Sequence, residues 1–170
     1  MNNIKIYTDV EDERWTAAIA DIAAVVERVE NAVVNCVSDE VDFLSPDKSF
    51  SINLCLSNDE NVHRLNKEFR NMDKPTNVLS FANVDDDSFE DMLVSEEEVE
   101  LGDVIVAFET MEREAQELGI SFYDHFCHLW THGMLHILGY DHIEPEERAK
   151  MEQRETEILA ALKIADPYQE

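Results

Sequence analysis

Three histidines at spacings of four and six residues, His132, His136 and His142 in HGMLHILGYDH, are the part of this sequence best suited to chemistry. On a helix, positions four apart differ by about 40° in azimuth and share a face, so His132 and His136 can turn imidazole nitrogens toward one ion. Gly139 then ends the helix and turns the chain, which lets His142 return as a third ligand. Three neutral imidazoles leave a tetrahedral position open for water or substrate, as in catalytic zinc sites; a structural zinc usually has four protein ligands. One zinc ion (Zn2+) is the expected occupant, and imidazole ligands also suit other divalent transition metals. Any single histidine is by default an ordinary surface or core residue, but three of the chain's six at this spacing point to a site.

The spacing HxxxHxxGxxH is also that of the metzincin proteases, in which a glutamate after the first histidine acts as general base. Here that position is Gly133, which has no side chain to take a proton from water. A zinc metallopeptidase is therefore the second reading. His125 and His128 continue the same helical face backwards; a further ligand would close the open position, so His128 is assigned to the cavity wall or to supporting a ligand. His63 is read as structural. Asp141 could orient a neighbouring imidazole or serve equally as a solvated turn carboxylate.

The elements that must hold these residues can be read from periodicity. Residues 3–8 suggest a strand, and Trp15, Ile19, Ile22, Val26, Val29 and Val33 form one apolar stripe that predicts a single long helix. Ile52, Leu54 and Leu56 alternate with polar neighbours as in a strand. Ser57 and Glu60 have capping-box spacing before a helix carrying Val62, Leu65 and Phe69, which Asp73-Lys74-Pro75 breaks. Residues 78–81 and 104–108 read as buried strands, residues 109–118 and 122–138 as helices, and Pro145 as the first turn of a last helix that fades at Asp166-Pro167. The implied class is α+β: a small mixed sheet packed with helices, with the metal site at the end of a helix.

At 170 residues the chain is read as one domain spanning 1–170, and its 44% apolar and 31% charged composition suits a globular protein. Residues 83–100 are expected to be an acidic, mobile loop, since 85–100 hold nine carboxylates and no basic residue; 166–170 are read as a tail. Glycine and ligand spacings of a calcium loop are missing there. Thirteen basic against 39 acidic residues give a net charge of −26, which repels phosphate backbones and anionic membranes at long range. Nucleic-acid binding must then be local, and Arg64, Lys67, Arg70 and Lys74 could form a positive strip beside the metal. Cys36, Cys55 and Cys127 show no CxxC spacing, the N-terminus has no leader pattern, and no segment approaches eighteen uninterrupted apolar residues. A reducing cytoplasm and no membrane partner are expected.

HGMLHILGYDH, together with EFRNMDKPTNVLSF at 68–81 and LGDVIVAF at 101–108, closely resembles the YbeY family of bacterial metal-dependent endoribonucleases that mature ribosomal RNA. The resemblance runs from about residue 50 to residue 168, including EPEERAKMEQRETEIL and the terminal DPY; the first fifty residues match only in strand-helix pattern. Many members have Asp where this chain has Asn77, so no role needing a carboxylate belongs there. The resemblance implies that His132, His136 and His142 bind the metal and that Arg70 is the functional arginine of the cleft. Chemistry supports Arg70 too, since a guanidinium can hold two phosphoryl oxygens, although a basic residue after a helix also complements the negative end of its dipole. The implied activity is single-strand-specific endoribonuclease cleavage in ribosomal RNA processing, including small-subunit 3′-end maturation, and in ribosome quality control. Single-stranded RNA and the ribosome are the expected partners, with no DNA; a non-catalytic, metal-stabilised ribosome-assembly factor is the third reading.

Overall fold

Period-two burial along Ser49–Ser57, one of the two inner strands of a four-stranded sheet, turns its apolar residues to a helical layer and its polar ones outward. The computed structural model describes residues 3–168. In chain order the elements are β1 (Ile4–Val10), α1 (Arg14–Ala18), α2 (Ile22–Val37), β2 (Ser49–Ser57), α3 (Asp59–Arg70), β3 (Val78–Ala82), α4 (Phe89–Ser95), β4 (Glu98–Ala107), α5 (Phe108–Leu118), α6 (Phe122–Ile137) and α7 (Pro145–Ala161). The four strands form one mixed sheet in the order β1-β2-β4-β3. Strands β1, β2 and β4 run parallel, and β3 pairs antiparallel with β4. This is the α+β arrangement expected.

Helix α6 lies at the centre of the molecule, packed against β3, β4, α2, α5 and α7. Its residues Phe126, Trp130, Met134, Leu135 and Ile137 are wholly buried, so the helix that carries His132 and His136 is the best-anchored element of the fold. Ser121 caps its start by accepting the Asp124 N–H. The Trp130 indole N–H donates to Val26 O, joining α6 to α2. On the opposite face of the sheet, α3 closes a smaller apolar cluster of Val62, Leu79, Ile105 and Ala107.

Several boundaries differ from the sequence-based expectations. The first apolar stripe is divided between α1 and α2, because Ile19 is extended and the Asp21 carboxylate accepts the Ala24 N–H to start a second helix. The cap of α3 is Asn58, which accepts the Asn61 N–H, while Ser57 ends β2. The final strand begins at Glu98, and Phe108 already starts α5. The acidic 83–100 segment is not loop throughout. It holds a 3-10 turn (Asn83–Asp85), α4 and the first residues of β4, because its apolar residues find partners: Phe89 is buried with its ring 5.1 Å from that of Phe43, and Val99 is fully buried. Charge density set the expectation, while the apolar residues between the charges set the structure. The expected 166–170 tail is likewise tied down over its described part, since Tyr168 donates to Glu155; residues 169 and 170 lie outside the described residues.

Candidate metal centre

One turn of α6 separates His132 from His136, and their rings stand 4.9 Å apart between centroids. The helix ends at Leu138, Gly139 takes a φ of +105°, and its N–H donates to His136 O. The tight reversal returns His142, whose ring lies 4.9 Å from His136 and 5.6 Å from His132. Asp141 fixes the loop by accepting the His142 and Ile143 N–H groups on Oδ1, the turn role allowed for it from sequence. Tyr140 adds a second tether through its hydroxyl to Glu40, a carboxylate also held by Arg154 and Lys150. Those donors, the Arg154 guanidinium first, hold the Glu40 carboxyl down at about 2.

One ligand atom from each of the three histidines lies within 4.8 Å of the others, and His136 Nε2 is 3.0 Å from His142 Nδ1. Nitrogens about 2.0–2.1 Å from a tetrahedral zinc stand roughly 3.3 Å apart, so these imidazoles can close on one ion with small side-chain adjustments. Burial first, and then the neighbouring His132 and His142, push His136 down to about 4, which keeps it neutral and able to ligate at neutral pH. The donor set therefore fits a metal ion.

Behind His132 stands a residue that sequence reasoning missed. Glu155 of α7 is fully buried, and its Oε1 lies 3.0 Å from both His132 Nδ1 and His128 Nε2. Tyr168 donates its hydroxyl to Oε2 at 2.6 Å. Burial alone would raise the Glu155 carboxyl; hydrogen bonds from His128, His132 and Tyr168 outweigh it and hold the group at about 2. The sequence signal was present, because Glu155 falls among Met151, Ile158 and Leu159 on the apolar stripe of α7, where a carboxylate has no reason to be unless it has partners. His125 lies elsewhere, 2.9 Å from Glu114, which also accepts from Asn77 Nδ2. An aspartate at 77 would face Glu114 with like charge.

The histidines line a cleft of about 710 Å³ whose lining also includes Arg70, Asn77 and Ser80. Arg70 is the last residue of α3, and Asn71 stops the helix in a left-handed conformation that asparagine tolerates. The guanidinium donates to Ser80 O at 2.7 Å and stacks over the Phe81 ring at 5.2 Å. Of the four basic residues expected to form a strip, Arg70 alone lines the cleft. Lys67 sits 4.0 Å from Asp73, a residue that also pairs with His63, and Arg64 lies near Glu11. Gly133 is explained by packing: a Cβ there would meet Val104 Cγ1 at 2.8 Å.

Fold and site together define an α+β protein with a metal-type histidine cluster in a cleft that an arginine also lines. The family model described as endoribonuclease YbeY matches residues 12–163. Proteins named endoribonuclease YbeY are similar over nearly the whole chain: that of Paramagnetospirillum magneticum is 43% identical over 98% of this chain and 97% of its own, and that of Rhodospirillum rubrum 45% identical over 97% and 82%. The Agrobacterium fabrum relative is 41% identical over 99% and 96%. In fold, the solution structure of TM1509 from Thermotoga maritima is similar at a TM-score of 0.55, with 21% identity over 98% of this chain and 99% of that one. This chain belongs to the YbeY family.

Proposed function

We propose that this protein is a single-strand-specific endoribonuclease of ribosomal RNA processing, small-subunit 3′-end maturation included, that uses one zinc ion held by His132, His136 and His142 and an Arg70 clamp on the scissile phosphate. The observation that carries this reading is the convergence of three imidazoles in a cleft that the Arg70 guanidinium also lines. When bound, zinc supplies Lewis acidity, activating water near neutral pH and polarising a phosphoryl oxygen. Cleavage gathers negative charge on the non-bridging oxygens, where paired guanidinium donors are most effective. Ser80 O and the Phe81 ring hold Arg70 at the wall and occupy part of its donor set, so that its other donors are the ones left for a phosphate. An unpaired backbone enters such a cleft more readily than a stiff duplex.

We place its action in the cytoplasm, on the ribosome; three free cysteines fit a reducing compartment, and among the described residues no helix is long and apolar enough to cross a membrane. The peptidase reading is opposed by Gly133, since a glutamate there would have to displace Val104. Purified protein is incubated with single-stranded RNA and with casein, with and without chelator, beside His136→Ala and Arg70→Ala variants. RNA is cleaved and casein is not; chelator and His136→Ala abolish cleavage, and Arg70→Ala slows it by roughly 10²–10³ while metal content is unchanged. RNA cleavage that survives chelator or His136→Ala overturns the reading. End groups on the product show whether water or the 2′-hydroxyl attacks, since the latter leaves a cyclic phosphate.

A further inference from the structure

We propose that Glu155 is the positioning residue of the metal centre, selecting the His132 tautomer that can ligate, and that Tyr168 near the chain end holds Glu155 in place. The proposal rests on the metal reading above and adds to it an arm, Tyr168–Glu155–His132, that spans α7 and the segment beyond it. An ionised carboxylate only accepts hydrogen bonds, so the His132 Nδ1 at 3.0 Å must carry the proton. That leaves Nε2 with its lone pair, aimed away from Glu155. Among the described residues, His132 is the one member of the three whose ring shares a hydrogen bond with a carboxylate.

A merely structural role accounts poorly for this carboxylate. Its side chain is 1% exposed and, among the described residues, pairs with no lysine or arginine; its partners there are His132, His128 and Tyr168. Burying a charge costs several kcal/mol unless it is well paired, and an apolar residue would fill the stripe of α7 at no such cost. Of these partners, His132 lines the cleft itself. Tyr168 satisfies Oε2, its ring meets that of His128 edge-on at 5.8 Å, and its backbone N–H is fixed by Asp166, whose carboxylate also accepts from Thr156. The segment from Asp166 to Tyr168 is thereby latched to α7 and bears on the metal centre through one carboxylate. Outer carboxylates of this kind raise ligand basicity and typically change metal affinity 10–100-fold.

The test uses the full chain with Glu155→Gln and Tyr168→Phe. Zinc affinity is measured by competition with a chromogenic chelator, and the tautomer of His132 by nitrogen NMR on the metal-free protein. The expected results are a His132 Nδ1–H tautomer in the wild type, a mixture in Glu155→Gln with zinc binding weaker by roughly 10–100-fold, and a several-fold loss in Tyr168→Phe. Glu155→Gln that loses thermal stability while keeping both the wild-type tautomer and zinc affinity overturns the proposal, as does Tyr168→Phe with unchanged zinc affinity. Should Glu155→Gln fail to fold, Tyr168→Phe and the wild-type tautomer decide. A wild type that binds no zinc overturns the metal reading; a wild-type His132 without the Nδ1 proton overturns the arm, so the two failures are distinct.

Discussion

Gly133 shows how one residue can bear on both chemistry and packing. Its place after His132 is where a metzincin carries its base, and its Cα faces the sheet so closely that a Cβ would stand 2.8 Å from one Val104 methyl and 3.2 Å from the other. Two effects oppose each other in Gly133→Ala. Alanine gains about 1 kcal/mol of helix propensity, whereas overpacking a tight contact costs about 1–3 kcal/mol. The contact wins because α6 is buried on several sides and cannot retreat from β4 without disturbing its other neighbours. Gly133→Ala is expected to lose roughly 1–2 kcal/mol in urea denaturation, and Gly133→Glu more, without gaining casein cleavage. A stabilised Gly133→Ala would show that the sheet yields.

Among the elements, α2 contains a residue that opposes its own burial. Glu30 lies among Val26, Val29, Val33 and Val34 on a helix packed against α6 and α7, and is 4% exposed; its Oε2 has no hydrogen-bond partner among the described residues. Burial, helped by the charge of Glu27, raises its carboxyl to about 7 from 4.5. The sign follows from linkage. Between pH 4.5 and 7 the unfolded chain ionises this group while the folded one keeps it protonated, so folding stability falls as pH rises through that window. At about 1.4 kcal/mol per pH unit, the shift from 4.5 to about 7 makes the loss roughly 3–4 kcal/mol as an upper value. Glu30→Gln removes the titration, so its stability relative to wild type, followed by urea midpoints at pH 5 and pH 8, is expected to rise by up to that amount. Equal differences at the two pH values would refute this.

The whole molecule carries −26 charges, and the basic residues near the cleft do not form a continuous strip. An RNA strand approaching the site meets a repulsive field that only Arg70 and a bound cation relieve locally. Few counterions are then released on binding. For single strands the logarithmic salt slope is about −0.7 per phosphate neutralised, so one guanidinium predicts a slope no steeper than about −1. Fluorescence anisotropy with a short single-stranded RNA between 50 and 300 mM salt, on the order of the range where such slopes are read, measures this. A slope of about −3 or steeper would reveal a basic track that the cleft does not show.

Much of this protein was legible in sequence because the signals were local. The i, i+4 histidines and the glycine after them determine a shared helix face and a turn, whatever lies around them, and Pro145 duly begins α7. The α+β class followed from the alternation of periods. Other features depend on residues far apart in the chain. The acidic 83–100 segment takes up structure because Phe43 receives Phe89, and Asp21 divides a stripe that periodicity alone would have continued. Arg70, read two ways from its position, is brought to the histidines by β3, whose Ser80 carbonyl and Phe81 ring receive it. Glu155 follows His132 by 23 residues and meets it only because α7 packs along α6. Local spacing thus determined which residues could ligate, while long-range packing decided which groups face them, since a buried charge finds its partners only when helices close.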